Sequence, residues 1–182
     1  MKNPYTCTMA GASLAAILAG CAASIAVTYP PVVPDNLKVP ANQVLSLEAQ
    51  ATGVQIYECK AGKTDPARFE WVFKAPEADL FDNTGKKIGK HYAGPTWESN
   101  DGSRVVGEVR AQDPGPDANA IPWLLLYAKT SSENGVFGHT AGIQRLNTVG
   151  GKAPAEACSQ AQAGKETRVA YKATYYFYVA RP

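Results

Sequence analysis

The residues best suited to chemistry crowd into one stretch: His91, Tyr92, Trp97, Glu98, Asp101, Ser103 and Arg104. Trp97 and Tyr92 offer flat apolar faces, and His91, Glu98, Asp101 and Arg104 offer hydrogen bonds. That mixture suits a sugar or an aromatic ligand. Arg145, set between apolar neighbours, could reach the same ligand or pair with a buried carboxylate. A second chemistry uses His91 with Glu98 or Asp101 as an acid/base pair and Ser103 as nucleophile, as in a hydrolase. A third reading needs no ligand. Gly94 and Pro95 bend a hairpin, Trp97 fills the core, and Glu98 and Arg104 form a cross-strand ion pair. With only two histidines, His91 and His139, a histidine-rich metal centre is excluded. A mixed site of His91 with Glu98 or Asp101 is the one metal arrangement left. The chain has no G-x-S-x-G elbow, H-E-x-x-H, Walker loop or G-x-G-x-x-G, so the sequence calls for no cofactor.

These side chains must be positioned by strands. Phe69, Trp71 and Phe73 alternate with Glu70 and Lys74, and Val54 to Cys59 alternates likewise, which is the period of a half-buried strand. Asn100-Asp101-Gly102 is a hairpin signal between Thr96-Trp97-Glu98 and the segment 105–109. Segment 121–128 (IPWLLLYA) is apolar but only eight residues long, which fits a buried strand better than a helix. At 167–180 aromatics fall on both faces, which marks a strand that is central or bends between sheets. Segment 153–163 (APAEACSQAQA), before Gly164, is the one predicted helix. The expected fold is all-β: a single-domain antiparallel sandwich or barrel of about eight to ten strands with one short helix.

The chain has 182 residues, with 45% hydrophobic and 19% charged residues and a net charge of +2. It can bury a core, and it has no basic field to recruit nucleic acid. Residues 1–20 read as a lipoprotein signal peptide. Lys2 begins it, Met9 to Leu18 is an uncharged run too short to span a bilayer, and Leu18-Ala19-Gly20-Cys21 resembles the bacterial lipobox. Cys21 is then the lipidated residue and the membrane the first partner. Ala22 stands where inner-membrane lipoproteins carry Asp, so the expected location is the outer membrane, facing the periplasm or the cell surface. Residues 21–40 hold Pro30, Pro31, Pro34 and Pro40 and read as a Pro-rich tether, with an edge strand at 25–29 as the alternative; residues 41–182 are the single β domain. Cys7 leaves with the leader. Cys59 and Cys158 remain and are expected to form a disulfide, against the alternative of two buried thiols.

Four segments together resemble a known pattern: Gly53-Val54-Gln55-Ile56-Tyr57-Glu58-Cys59; 91–98 with Asp101-Gly102-Ser103; Ile143 to Thr148 with Gly150-Gly151; and the closing Tyr175-Tyr176-Phe177-Tyr178. They are similar to an exported bacterial and fungal family catalogued as domain of unknown function 3455, across about residues 35–180. The resemblance implies a single exported domain and no particular chemistry. The expected function is a lipid-anchored, noncatalytic module that binds a small molecule or a glycan. The alternatives are an envelope assembly protein, or a hydrolase built on His91, Glu98 and Asp101.

Overall fold

A computed structural model describes residues 29–181. The signal peptide, Cys21 and the first part of the Pro-rich segment lie outside the described residues. Eight strands follow one another: β1 (Gln43–Ala61), β2 (Phe69–Phe81), β3 (Lys87–Tyr92), β4 (Thr96–Ser99), β5 (Arg104–Asp113), β6 (Trp123–Ser131), β7 (Thr140–Gly150) and β8 (Glu166–Ala180). Each pairs antiparallel with the next, and β8 returns to β1 from Gln43↔Ala180 to Glu58↔Glu166. The fold is therefore the barrel of the two expected β architectures: an up-and-down barrel whose strand order closes on itself.

Strand alternation divides the apolar residues into two sets. Inside are Leu126, Ile143, Tyr171, Tyr175 and Phe177, with the small Ala49, Ala51, Ala78 and Ala173 making room for the rings. Phe137, from the β6–β7 loop, is fully buried with its ring 4.7 Å from Phe177. Outside, Leu125, Leu146, Tyr176 and Tyr178 form a second cluster. This is why β8 carries aromatics on both faces: one face lines the lumen, and the other meets a covering segment.

That segment is the end of the Pro-rich stretch, which departs from a free tether. A short 3-10 turn, Asp35–Leu37, places Leu37 fully buried in the outer cluster. The Gln144 Nε2 donates to the Leu37 carbonyl at 2.6 Å, and the Tyr178 hydroxyl donates to Gln144 Oε1 at 2.7 Å. An exposed apolar patch on β6, β7 and β8 is thereby covered by chain that composition alone assigns to solvent.

The helix expected at 153–163 is absent. Within that stretch only a 3-10 turn forms, Gln160–Gln162. Cys158 is bonded to Cys59 with Cα atoms 6.0 Å apart, so the segment is pinned to the end of β1. An Ala- and Gln-rich run of that length gains too little from propensity to oppose the cross-link. The expected disulfide itself is present.

Candidate functional site

The wall of the barrel is incomplete on one side. β3 pairs with β2 only between Ala78↔His91 and Phe81↔Lys87, and β4 pairs with β5 only from Thr96↔Val106 to Glu98↔Arg104. Both neighbours run further: β2 back to Phe69, and β5 on to Asp113. The short β3–β4 hairpin turns at Ala93-Gly94-Pro95, and Gly94 takes φ +132°, which a residue with a Cβ rarely adopts. Beyond that turn β2 and β5 face each other with no strand between them. Pro76 lies on this unpaired stretch of β2, where a missing N–H costs no rung on the β3 side.

The notch opens into a cavity of about 330 Å³ inside the barrel, at the small end of the ~300–1,000 Å³ range of small-molecule pockets. All eight strands contribute to it. Its depth is built from Gln55 on β1, His91 on β3, Trp97 on β4, Leu124 and Leu126 on β6, Arg145 on β7 and Tyr175 on β8. Phe73 and Lys74 on β2 and Val109 on β5 stand at the rim. Phe73 and Val109 are about half exposed, 51% and 50%, an apolar lip facing water.

Aromatic packing organises the depth. The His91 ring stacks on Trp97 with centroids 4.4 Å apart and planes 13° apart, and Tyr175 meets both edge-on at 5.1 and 5.3 Å. Gly107 lies behind Trp97, where an added Cβ would sit 3.0 Å from the indole. Several polar atoms in this layer have no partner: Gln55 Nε2, Trp97 Nε1 and the Tyr175 hydroxyl, with the Tyr171 hydroxyl close behind. The Tyr171 and Tyr175 hydroxyls lie close to each other, with Gln55 beside Tyr171 and the Arg145 guanidinium beside Tyr175, yet no hydrogen bond of ordinary geometry joins any of these pairs. Gln55, Trp97 and Tyr175 are all at least 98% buried, with exposures of 2%, 1% and 1%. A buried donor without an acceptor is costly, and native structures hold few of them.

His91 is a neutral imidazole. Burial is the main cause, Arg145 adds to it, and together they press its pKa down to about 3 from 6.5 despite the opposing hydrogen bond to Thr96. Its Nδ1 lies 2.8 Å from the Thr96 carbonyl, which can only accept, so Nδ1 carries the proton. Between pH 6.5 and about 3 the unfolded chain binds a proton that folded His91 refuses. Stability must therefore fall as the pH drops through that window. Urea midpoints of wild type and His91→Phe between pH 7 and 4 test this. The wild-type midpoint should fall more steeply, and parallel curves would show that His91 takes up its proton over the same pH range in the folded barrel as in the unfolded chain.

The sequence-predicted residues divide sharply. His91, Trp97 and Arg145 meet in the cavity. Tyr92, Glu98 and Arg104 lie together outside it. The Tyr92 hydroxyl donates to Glu98 Oε2 at 2.6 Å, and Arg104 Nε contacts the same oxygen at 2.9 Å across the β4–β5 pair. The hydrogen bond from Tyr92, followed by Lys90 and Arg104, holds the Glu98 carboxyl below its usual pKa despite some desolvation. Asp101 closes the β4–β5 turn: it accepts from the Ser103 hydroxyl at 2.6 Å, the Ser103 amide at 2.9 Å and the Val136 amide at 2.8 Å. Those bonds lower its pKa to about 2. Ser103 thus points to Asp101 and not to an imidazole. The described residues contain no grouping of His, Cys, Asp and Glu suited to a metal ion, the His91 combinations included. Gln55, Tyr175, Phe73 and Val109 also line the cavity without being site candidates from the sequence, although a Gln between Val54 and Ile56 on a strand facing inward is a readable signal.

The family described as "Protein of unknown function (DUF3455)" matches residues 40–179. The chain belongs to this family. The match runs from just before β1 almost to the end of β8, so it covers the whole barrel of this chain. No curated protein matches the chain. The disulfide is consistent with an exported protein, because such bonds persist in oxidising compartments.

Proposed function

We propose that this is a lipid-anchored envelope protein whose barrel is a noncatalytic binding module, taking one small molecule through the notch between β2 and β5. The observation that carries the reading is the set of unpaired donors, Gln55 Nε2, Trp97 Nε1 and Tyr175 Oη, gathered around one apolar cavity. A ligand that accepts from them removes the desolvation cost they carry alone. The half-exposed Phe73 and Val109 at the rim give an apolar ligand its first contact. The volume and the mostly apolar walls favour a compact small molecule over a glycan chain.

A thermal-shift screen of small molecules against wild type and Val109→Trp tests this, since ligand bound to the native state raises its melting point. Val109 is half exposed at the rim, so tryptophan there should narrow the entrance at little cost in stability. Some compounds should stabilise wild type and lose most of that effect in the variant. A library that stabilises neither protein, or both equally, would count against the cavity as a site.

Anchoring follows from the lipobox at Leu18 to Cys21, and Ala22 favours the outer membrane. Cys21→Ser should move the protein from the membrane fraction to the soluble fraction, or leave it unprocessed. Membrane attachment identical to wild type would contradict lipidation at Cys21.

A further inference from the structure

The charge inside the cavity is unbalanced. Arg145 lines it, and no carboxylate pairs with Arg145 among the described residues. Its Nε and Nη2 both donate to the Pro122 carbonyl, at 3.1 and 2.8 Å. That bond fixes the guanidinium plane, leaves N–H groups over, and neutralises nothing.

The groups in and around the cavity add no negative charge. The cavity wall contains neither Asp nor Glu. Burial keeps the Tyr57, Tyr171 and Tyr175 phenols protonated well beyond neutral pH, even though Arg145 pulls each the other way. His91 is neutral for the same reason. Lys74 at the rim already meets Glu166 at 2.5 Å and Glu58 at 3.4 Å on the outer surface. A partly buried cation with no counter-charge is expensive, and the neighbouring unpaired groups can all donate.

We propose, building on the reading of the cavity as a ligand site, that its ligand is a small apolar monocarboxylate. The carboxylate sits on Arg145 with the Gln55, Trp97 and Tyr175 donors, and the hydrocarbon body lies against Leu124, Leu126 and the Val109 rim. Arg145 suits this role because a guanidinium meets a carboxylate through two parallel N–H bonds. One unpaired cation accounts for one negative charge. The apolar walls account for the rest of the molecule.

Matched probes test the charge separately from the cavity. Phenylacetate and octanoate would be titrated calorimetrically against the full protein beside their neutral amides, phenylacetamide and octanamide. At least one carboxylate should bind wild type tenfold or more tighter than its amide. In Arg145→Gln the ratio should fall to within about twofold, close to the equality expected once the charge-assisted pair is removed. Equal affinity of acid and amide for wild type would overturn the proposal, and amide binding that is lost in Val109→Trp would leave the cavity standing. A carboxylate preference that survives Arg145→Gln would overturn it too, and binding indifferent to Val109→Trp would remove the cavity as well. If neither pair binds, the monocarboxylate is wrong, and the wider screen decides the cavity on its own. Should Arg145→Gln fail to fold, the guanidinium NMR signals of Arg145 in wild type serve instead. They should move with carboxylate and stay in place with amide, and signals unmoved by both would overturn the proposal.

Discussion

Trp97→Ala should lower the unfolding free energy by about 3–5 kcal/mol, the cost of truncating a large aromatic in a core. Trp97 is 1% exposed and is held by His91, Tyr175 and Phe177, with ring centroids at 4.4, 5.3 and 6.0 Å. Gly107 has no side chain with which to fill the void. The closed ladder also prevents the wall from collapsing inward, so little of the loss can be recovered. Urea denaturation of the single variant measures it. A near-wild-type midpoint would mean that Trp97 faces solvent and that the barrel interior is packed differently. Trp97→Phe separates the two duties of this residue. It keeps a ring against His91 while deleting the indole N–H, so stability should fall less than in the alanine variant and ligand affinity should still drop.

Reducing the disulfide should have the next largest effect. Cys59 and Cys158 are 99 residues apart in sequence, and closing a loop of that size stabilises the fold by about 4–5 kcal/mol in the chain-entropy model. Removing a native bridge from a small secreted domain typically costs about 2–5 kcal/mol. The bond also ties the β7–β8 connection to the end of β1, beside the Glu58↔Glu166 rung that closes the barrel. Reductant should therefore lower the melting temperature of wild type. The Cys59→Ala, Cys158→Ala double variant should start lower and ignore reductant. Equal melting temperatures in all four conditions would show that the ladder closes without the cross-link.

Much of the barrel was legible because its signals are local. Period-2 alternation in 54–59 and 69–74 marked β1 and β2, and Asn100-Asp101-Gly102 marked the β4–β5 turn. The Glu98–Arg104 pair followed from that hairpin, and the structure forms it. The misreadings came where a distant contact decides. Leu37 is buried because β6, β7 and β8 bring an outer apolar patch beneath it, which composition around Pro34 and Pro40 cannot reveal. Residues 153–163 have helical composition, but Cys158 answers to a partner 99 positions away.

The candidate site was half legible for the same reason. His91, Tyr92, Trp97 and Glu98 are neighbours in sequence, but alternation sends His91 and Trp97 into the lumen and Tyr92 and Glu98 outside. The Gly94-Pro95 turn keeps that parity intact, since His91 and Trp97 stand opposite each other across β3 and β4. The residues that complete the cavity, Gln55, Arg145 and Tyr175, come from β1, β7 and β8. They meet only because the barrel closes.

The central claim is that the lumen behind the β2–β5 notch holds one small molecule. Native mass spectrometry of the protein, recovered without unfolding from the cells that make it, tests this most directly, with Val109→Trp run alongside. The account predicts that wild type carries a single small-molecule adduct that leaves on denaturation, and that Val109→Trp carries little or none. Wild type and variant both flying at the bare mass of the processed chain, or both keeping the same adduct, would contradict it.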